Sequence, residues 1–70
     1  MSWSTRDVDR VLRRAGFVLV RRRSHDIYTK DGHRLSVAVP RDATDIPPGT
    51  VRGIFLQAGI TPADADRLRR

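Results

Sequence analysis

The order in which the hydrophobic periodicity changes along the chain limits its fold more than any other feature. Apolar residues first recur every three or four positions, then form short extended segments between turn residues, and finally return to helical spacing. A chain of 70 residues has room for one core. We therefore predict a single α+β domain over residues 1–70, with a three-stranded antiparallel sheet and helices packed on one face. The predicted order is α-β-β-β-α with an added helix.

The first helix is predicted from signals at both of its ends. Ser4 and Asp7 have the spacing of a capping box, in which each side chain accepts a hydrogen bond from the other residue's backbone N–H group. Trp3 and Val8 have the spacing of a hydrophobic staple. Gly16 suits the left-handed position that ends a helix. The stripe expected to face the core consists of Val8, Val11, Leu12 and Ala15.

A continuous apolar run, Phe17–Val20, follows this helix and predicts a strand that is buried on both faces. The arginines at 21–23 then end that burial. Alternation in an extended segment places Arg21 and Arg23 on one face and Arg22 on the other. At most two of the three can therefore flank one ligand.

The turn at Asp31-Gly32 joins the next two strands and sets their register. A two-residue loop would pair Lys30 with His33. A three-residue loop, with a left-handed bulge at the glycine, would pair Thr29 with His33 instead. The second register collects on one face the apolar side chains of Ile27, Leu35, Val37 and Val39. Because a slip by one residue exchanges the faces of a strand, this clustering favours the bulged turn.

The bulged register fixes the surroundings expected for His25. It places His25 beside Val37 on the core-side face, at the beginning of the strand, where that face can open to solvent. Ser24 then points to the opposite face. His33 is expected to be a plain exposed residue beside the turn. Pro40 is expected to end the third strand, because proline cannot donate to a ladder.

A second helix is predicted to open at Pro47-Pro48 and to end at Gly59. Its core-facing residues are Val51, Ile54, Phe55 and Ala58. Thr61 and Asp64 repeat the capping pattern with Pro62 at the first helical position, so a short terminal helix should follow.

The charge of the chain favours a polyanionic partner. The chain carries 14 Lys and Arg residues against 8 Asp and Glu, a formal net charge of +6, with a pI near 11.5. Arginine binds phosphate through planar bidentate hydrogen bonds and stacks on bases. An arginine-rich proteome would explain the choice of arginine over lysine, but not the excess of bases over acids.

The composition argues against metal and disulfide chemistry. The chain has no cysteine, and its two histidines lack clustered carboxylates, so we expect no disulfide, no metal site and no cofactor. The longest apolar runs are too short to span a bilayer, and nothing resembles a signal peptide. We therefore expect a cytoplasmic protein that does not bind membranes.

His25 is the main candidate for chemistry, although a lone histidine at a strand start is more often a plain polar residue. The sequence contains no H-E-x-x-H motif, no Gly-rich phosphate loop and no recognisable Ser-His-Asp arrangement. Histidine with arginine is sufficient for RNA cleavage, because RNA supplies its own nucleophile, the 2′-hydroxyl beside the scissile phosphate. A neutral imidazole can accept that proton, and an arginine can stabilise the phosphate in the transition state.

Several segments, in order and with matching spacing, resemble the HicA toxin family, also called YcfA-like. They cover almost the entire chain: Gly16–Arg21, Ser24–Tyr28, Asp31-Gly32, Leu35–Pro40, Pro48–Ile54 and Gln57–Ile60. Three positions differ from the family's pattern. Arg23 stands where the family has glycine, Asp26 where a basic residue or histidine is common, and Leu56 where a basic residue is common.

The resemblance implies a double-stranded-RNA-binding-like fold and a metal-independent endoribonuclease that cleaves mRNA and halts translation. It also implies neutralisation by a HicB-type antitoxin, with a free toxin that is monomeric and a hetero-oligomeric complex. The family's essential histidine, in a Gly-Ser-His motif, maps onto His25 as the general acid/base. The residues expected to hold RNA are Arg21, Arg22, Arg23, Ser24 and Arg34.

The sequence is also compatible with two other functions. The chain could be a non-catalytic RNA-binding module, which the differences at Arg23 and Asp26 would suit. It could also be an interaction domain whose basic face docks an acidic protein.

Overall fold

The computed structural model, which describes residues 2–70, has the predicted order of elements. The helices and strands are α1 (Thr5–Arg14), β1 (Val18–Arg22), β2 (His25–Thr29), β3 (Val37–Pro40), α2 (Pro48–Ala58) and α3 (Pro62–Arg69). The strands form an antiparallel sheet in the order β1-β2-β3. This arrangement confirms the α+β fold of the double-stranded-RNA-binding type. Within the described residues, no helix is long and apolar enough to cross a membrane.

The helices begin and end where the capping signals predicted. The Asp7 N–H donates to the Ser4 hydroxyl at 3.1 Å, and the Ser4 N–H donates to the Asp7 carboxylate at 3.2 Å. Thr61 accepts from the N–H of Asp64 at 3.1 Å at the start of α3. Gly59 ends α2 in the left-handed conformation, with φ 73°. These signals are local, so they do not depend on the rest of the fold.

The core lies between the sheet and the helices. Its larger buried side chains are Val8, Val11, Leu12, Phe17, Tyr28, Val37, Val39, Ile46, Val51, Ile54 and Phe55. Trp3 closes one end, since its ring meets that of Phe55 edge-on at 5.0 Å between centroids. The guanidinium of Arg69 lies 4.2 Å from the centre of the Trp3 ring. Trp3, α2 and α3 are thus packed together.

The prediction that Phe17–Val20 is buried on both faces is wrong. Phe17 is buried just before β1, but Val18 and Val20 are 57% and 56% exposed. The reason is that the helices cover only one face of the sheet. The apolar side chains on the other face of β1 therefore meet solvent.

The predicted register between β2 and β3 is also wrong. His25 lies opposite Pro40, and Val37 lies opposite Tyr28 rather than His25. The two registers differ by three residues, and an odd shift exchanges the faces of a strand. Asp26 and Tyr28 therefore face the helices, while His25 faces away from them, contrary to its predicted core-side position. Leu35, which was expected in the core, is 54% exposed.

Polar partners that are distant in the sequence account for this register. The Tyr28 hydroxyl donates to the Asp9 carboxylate of α1 at 2.5 Å, so the phenol can be buried without an unpaired hydroxyl. Gly32 has the expected left-handed backbone, with φ 81°, and the His33 N–H donates to the Lys30 carbonyl at 3.0 Å. The connection between β2 and β3 spans residues 30–36, and the pairing of the two strands begins with Tyr28 opposite Val37.

Candidate active site on the open sheet face

The sheet face that the helices leave uncovered, here called the open face, carries the candidate site. By register and alternation, the open face comprises Val18, Val20, Arg21, His25, Ile27, Thr29, Ala38 and Pro40. The covered face carries Leu19, Arg22, Asp26, Tyr28, Val37 and Val39. His25 is the one titratable imidazole among the open-face residues.

His25 is the first residue of β2, and its side chain is exposed. Its carbonyl accepts a hydrogen bond from the N–H of Arg23 at 3.2 Å, which closes the tight turn between β1 and β2. The next residue, Asp26, faces the opposite side of the sheet, as alternation predicted. The imidazole is therefore presented to solvent at the end of the sheet, beside a short turn.

A β-bulge in β1 brings Arg21 to the face of His25. Leu19 lies opposite Tyr28 and Arg21 lies opposite Ile27, so Val20 is the extra residue. A regular strand would have placed Arg21 on the covered face, because alternation would set Val20 opposite Ile27. With the bulge, Arg21 is a diagonal neighbour of His25, at a backbone separation of about 7–8 Å that long side chains can bridge. The two side chains can thus reach one phosphodiester.

Arg22 occupies the covered face instead. It lies opposite Asp26, and its Nε is 3.4 Å from the Asp26 carboxylate. Arg41, which follows β3, lies 3.6 Å from the same carboxylate through its Nε. Its Nη1 also donates to the carbonyl oxygen of Arg23 at 2.7 Å. Arg41 was not among the residues predicted from the sequence, although an antiparallel meander returns the end of β3 to the start of β2.

The remaining predicted RNA-binding residues are divided between the two ends of the sheet. Arg23 and Ser24 form the exposed turn that precedes His25. Arg34 is exposed in the connection 30–36, which leaves β2 at Thr29. Four residue steps along a strand span about 13 Å, so Arg34 lies at the far end of β2 from His25. The structure therefore brings Arg21, Arg23 and Ser24 near the histidine, but not Arg34.

Most helix arginines are paired with carboxylates, whereas Arg21 on the open face and Arg23 in its turn have none among residues 2–70. The helical ion pairs are Arg10–Asp7, Arg13–Asp9, Arg67–Asp64, Arg69–Asp7 and Arg70–Asp66. Among residues 2–70, Arg21, Arg23 and Arg34 have no carboxylate within ion-pair distance, and Arg6 and Arg52 of the helices have none either. Arg14 donates through its Nη1 to backbone oxygens of Leu68 and Arg70, at 2.8 and 2.7 Å. The site is distinguished by clustering, because register and sequence place two arginines without a carboxylate partner, Arg21 and Arg23, beside the exposed His25.

His33 and Tyr28, by contrast, have structural contacts. His33 is half-buried rather than plainly exposed: its ring meets Phe17 edge-on at 5.2 Å, and its Nε2 donates to the Gln57 carbonyl at 2.9 Å. Burial, together with the hydrogen bond to Asp9, raises the pKa of the Tyr28 hydroxyl. Tyr28 therefore stays protonated in the core. His25 is the candidate that combines an exposed imidazole with a place on the open face.

Comparison with known proteins identifies one family. The model of a family described as the HicA toxin of bacterial toxin-antitoxin matches residues 5–60, which include all the strands and the two longer helices. No curated protein matches the chain.

Proposed function

The chain belongs to the HicA family of bacterial toxin–antitoxin toxins, and we propose that it is a metal-independent endoribonuclease that cleaves mRNA. In this proposal His25 is the general acid/base, and the RNA lies on the open face. The observation that carries the proposal is the exposed His25 on the open face, next to Arg21 and Arg23, which have no carboxylate within ion-pair distance among residues 2–70.

The proposed reaction uses the 2′-hydroxyl of the RNA as nucleophile. The imidazole of His25 accepts the 2′-hydroxyl proton while the 2′-oxygen attacks the adjacent phosphorus. The bond from phosphorus to the 5′-oxygen breaks, and that oxygen takes a proton from the imidazolium. The products are a 2′,3′-cyclic phosphate and a 5′-hydroxyl. Arg21 donates to the non-bridging phosphate oxygens, whose negative charge increases in the transition state.

Phosphate binding is assigned to the residues of the open face and its turn. Arg21, Arg23 and Ser24 would hold the scissile phosphate and its neighbours, and Arg34 would contact RNA farther along β2. Arg22 is not included, because its guanidinium pairs with Asp26 on the covered face. One RNA strand following β2 would pass all the assigned residues.

Two differences from the family pattern are compatible with this activity. Asp26 is buried on the covered face, so its carboxylate does not face a phosphate on the open face. Arg23 stands where the family has glycine, but its φ is outside the left-handed region that favours glycine. Neither residue therefore favours the non-catalytic interpretation.

Membership of a toxin–antitoxin family implies an antitoxin partner. We propose that this partner is a HicB-type protein that forms a hetero-oligomer with a toxin that is otherwise monomeric. Because the proposed substrate is mRNA, we propose that the protein acts in the cytoplasm.

The proposal is tested by incubating purified protein with an mRNA fragment in the presence of EDTA. Wild type should yield fragments with 2′,3′-cyclic phosphate ends, and His25→Ala should lower the rate by about 10²- to 10⁴-fold. His33→Gln is the matched control, because it removes the other imidazole from a structural position, and it should keep the wild-type rate. Equal cleavage by wild type and His25→Ala would contradict the role of His25.

A second measurement separates cleavage from binding. If wild type binds the RNA in a salt-sensitive manner but gives no product over long incubation, the protein is a non-catalytic RNA-binding module. Expression of wild type and His25→Ala in a bacterium that lacks the antitoxin gives the matching result in cells. Wild type should arrest growth and shorten mRNA, and His25→Ala should do neither.

A further inference from the structure

We infer that Asp26 and Arg41 are positioning residues. They hold His25, and the turn that precedes it, in the position that the reaction requires. This inference rests on the proposed ribonuclease function. It concerns residues on the side of the sheet opposite the RNA, which would act on the reaction only through the backbone on either side of His25.

Asp26 is a buried carboxylate at the base of the candidate site. It directly follows His25 in β2 and is 3% exposed. A buried charge lowers stability unless it is paired. Arg22 and Arg41 both lie within ion-pair distance of it, at 3.4 and 3.6 Å. The carboxylate therefore fixes two guanidinium groups at the end of the covered face.

Arg41 connects Asp26 to the turn. Its Nη1 donates to the carbonyl of Arg23 at 2.7 Å, while its Nε lies near the Asp26 carboxylate. One rigid guanidinium thus contacts the residues on both sides of the Ser24-His25 pair. Because the guanidinium is planar and its donors have a fixed geometry, the two contacts restrain the distance between the turn and β2.

The segment that carries Arg41 is itself anchored to α1. The Thr5 hydroxyl donates to the Pro40 carbonyl at 2.7 Å and accepts from the Ala43 N–H at 2.9 Å. The backbone on both sides of Arg41 is therefore held to the first turn of a helix. Through these contacts α1 holds the segment that carries Arg41, and Arg41 in turn holds the turn next to His25.

A general base works only if it is held within hydrogen-bond reach of the proton that it accepts. A displacement of about 1 Å can lower a rate by about 100-fold. Loss of either positioning residue should thus reduce kcat, while the KM for RNA, which depends on the exposed cations, should change less.

The test compares Arg41→Gln with Asp26→Asn, since these variants change the net charge in opposite directions. If the two residues position His25, both variants should lower kcat by roughly 10- to 100-fold. If Arg41 instead binds phosphate, Arg41→Gln should raise KM and Asp26→Asn should lower it, with kcat unchanged, and the inference fails. Arg67→Gln is the matched control, because Arg67 is also paired with an aspartate, at 3.2 Å from Asp64, but lies in α3.

Hydrogen exchange of the Arg23 amide gives a readout that does not depend on activity. This amide donates to the His25 carbonyl, so it should exchange faster in Arg41→Gln and Asp26→Asn than in wild type and Arg67→Gln. Unchanged exchange in both variants would overturn the inference even if RNA cleavage is confirmed. If exchange rises but wild type does not cleave RNA, the proposed function fails and the restraint on the turn stands.

Discussion

Arg13 on the helical layer and Arg21 on the open face have the same side chain in opposite environments. The Nε of Arg13 donates to both carboxylate oxygens of Asp9, at 2.9 and 3.0 Å. Within the part of the chain that the structure describes, Arg21 has no carboxylate within ion-pair distance, and the bulge at Val20 sets it on the face of His25. The arginine in the helical layer has a partner within the chain, whereas the arginine beside the histidine is available for a partner outside it.

The apolar residues of the two faces should differ most in their effect on stability. Leu12→Ala removes a buried side chain of α1 and should lower the free energy of unfolding by about 2–5 kcal/mol. Val18→Ala changes a side chain that is 57% exposed and should change it by less than about 0.5 kcal/mol. Urea denaturation measures both. Similar losses in the two variants would mean that the open face is covered in the free protein.

The second-largest difference is expected between substitutions of Arg21 and Arg13, and it should affect activity rather than stability. Arg21→Gln should lower kcat/KM for RNA by roughly 10- to 100-fold, because a charged hydrogen bond to phosphate contributes about 1.5–3 kcal/mol. Arg13→Gln, which makes the same charge change at a paired position, should leave kcat/KM close to that of wild type. Single-turnover cleavage rates of the two variants test this prediction. An equal loss of kcat/KM in both would show that the overall charge of the protein determines activity.

A smaller effect is expected from the capping carboxylate of α1. The hydrogen bond from the Ser4 N–H, aided by the Ser4 hydroxyl and Arg69, lowers the pKa of Asp7 in the folded protein despite partial burial. Its contribution to stability is therefore present above the unfolded pKa and is lost as the pH falls through the folded pKa. Asp7→Asn should lower stability by about 0.3–1 kcal/mol at pH 7 and by almost nothing near pH 2.

Asp31→Asn serves as the control for this pH dependence. Asp31 lies exposed in the connection 30–36, so its substitution makes the same charge change without the cap. Thermal unfolding at several pH values distinguishes the two variants. A pH-independent loss for Asp7→Asn would mean that the carboxylate acts through packing alone.

The smallest predicted effect is in the salt dependence of RNA binding. Arg23→Gln should reduce the slope of log K against log salt by about 0.7, the value for one phosphate contact with a single strand. Arg67→Gln should leave the slope unchanged, because its guanidinium is already paired with Asp64. Measurements in the His25→Ala background avoid cleavage during the titration.

The sequence predicted the helices well because their signals are local. The Ser4–Asp7 box, the apolar stripe of α1 and the left-handed Gly59 all act within a few residues. The strand order also followed from the periodicity and the short connections.

The faces of the strands could not be predicted, because they depend on distant partners. β2 reads His-Asp-Ile-Tyr-Thr, and apolar clustering alone favours burying Ile27. The protein instead buries Asp26 and Tyr28, since the Arg41 guanidinium pairs with the Asp26 carboxylate and the Asp9 carboxylate accepts from the Tyr28 hydroxyl. The bulge at Val20 also could not be predicted from the sequence. It determines whether the Arg21 side chain lies on the same face as His25. His25 was therefore identified from its family motif, whereas its surroundings came from the structure.

Whether RNA lies on the open face can be measured from amide chemical shifts during an RNA titration. His25→Ala protein would be titrated with an oligonucleotide that carries 2′-O-methyl groups, which removes the nucleophile. We expect the largest shifts at Arg21, Ile27 and Ala38 of the open face and at the turn formed by Arg23 and Ser24. Shifts concentrated on α1 and α3, with the open face unchanged, would contradict it.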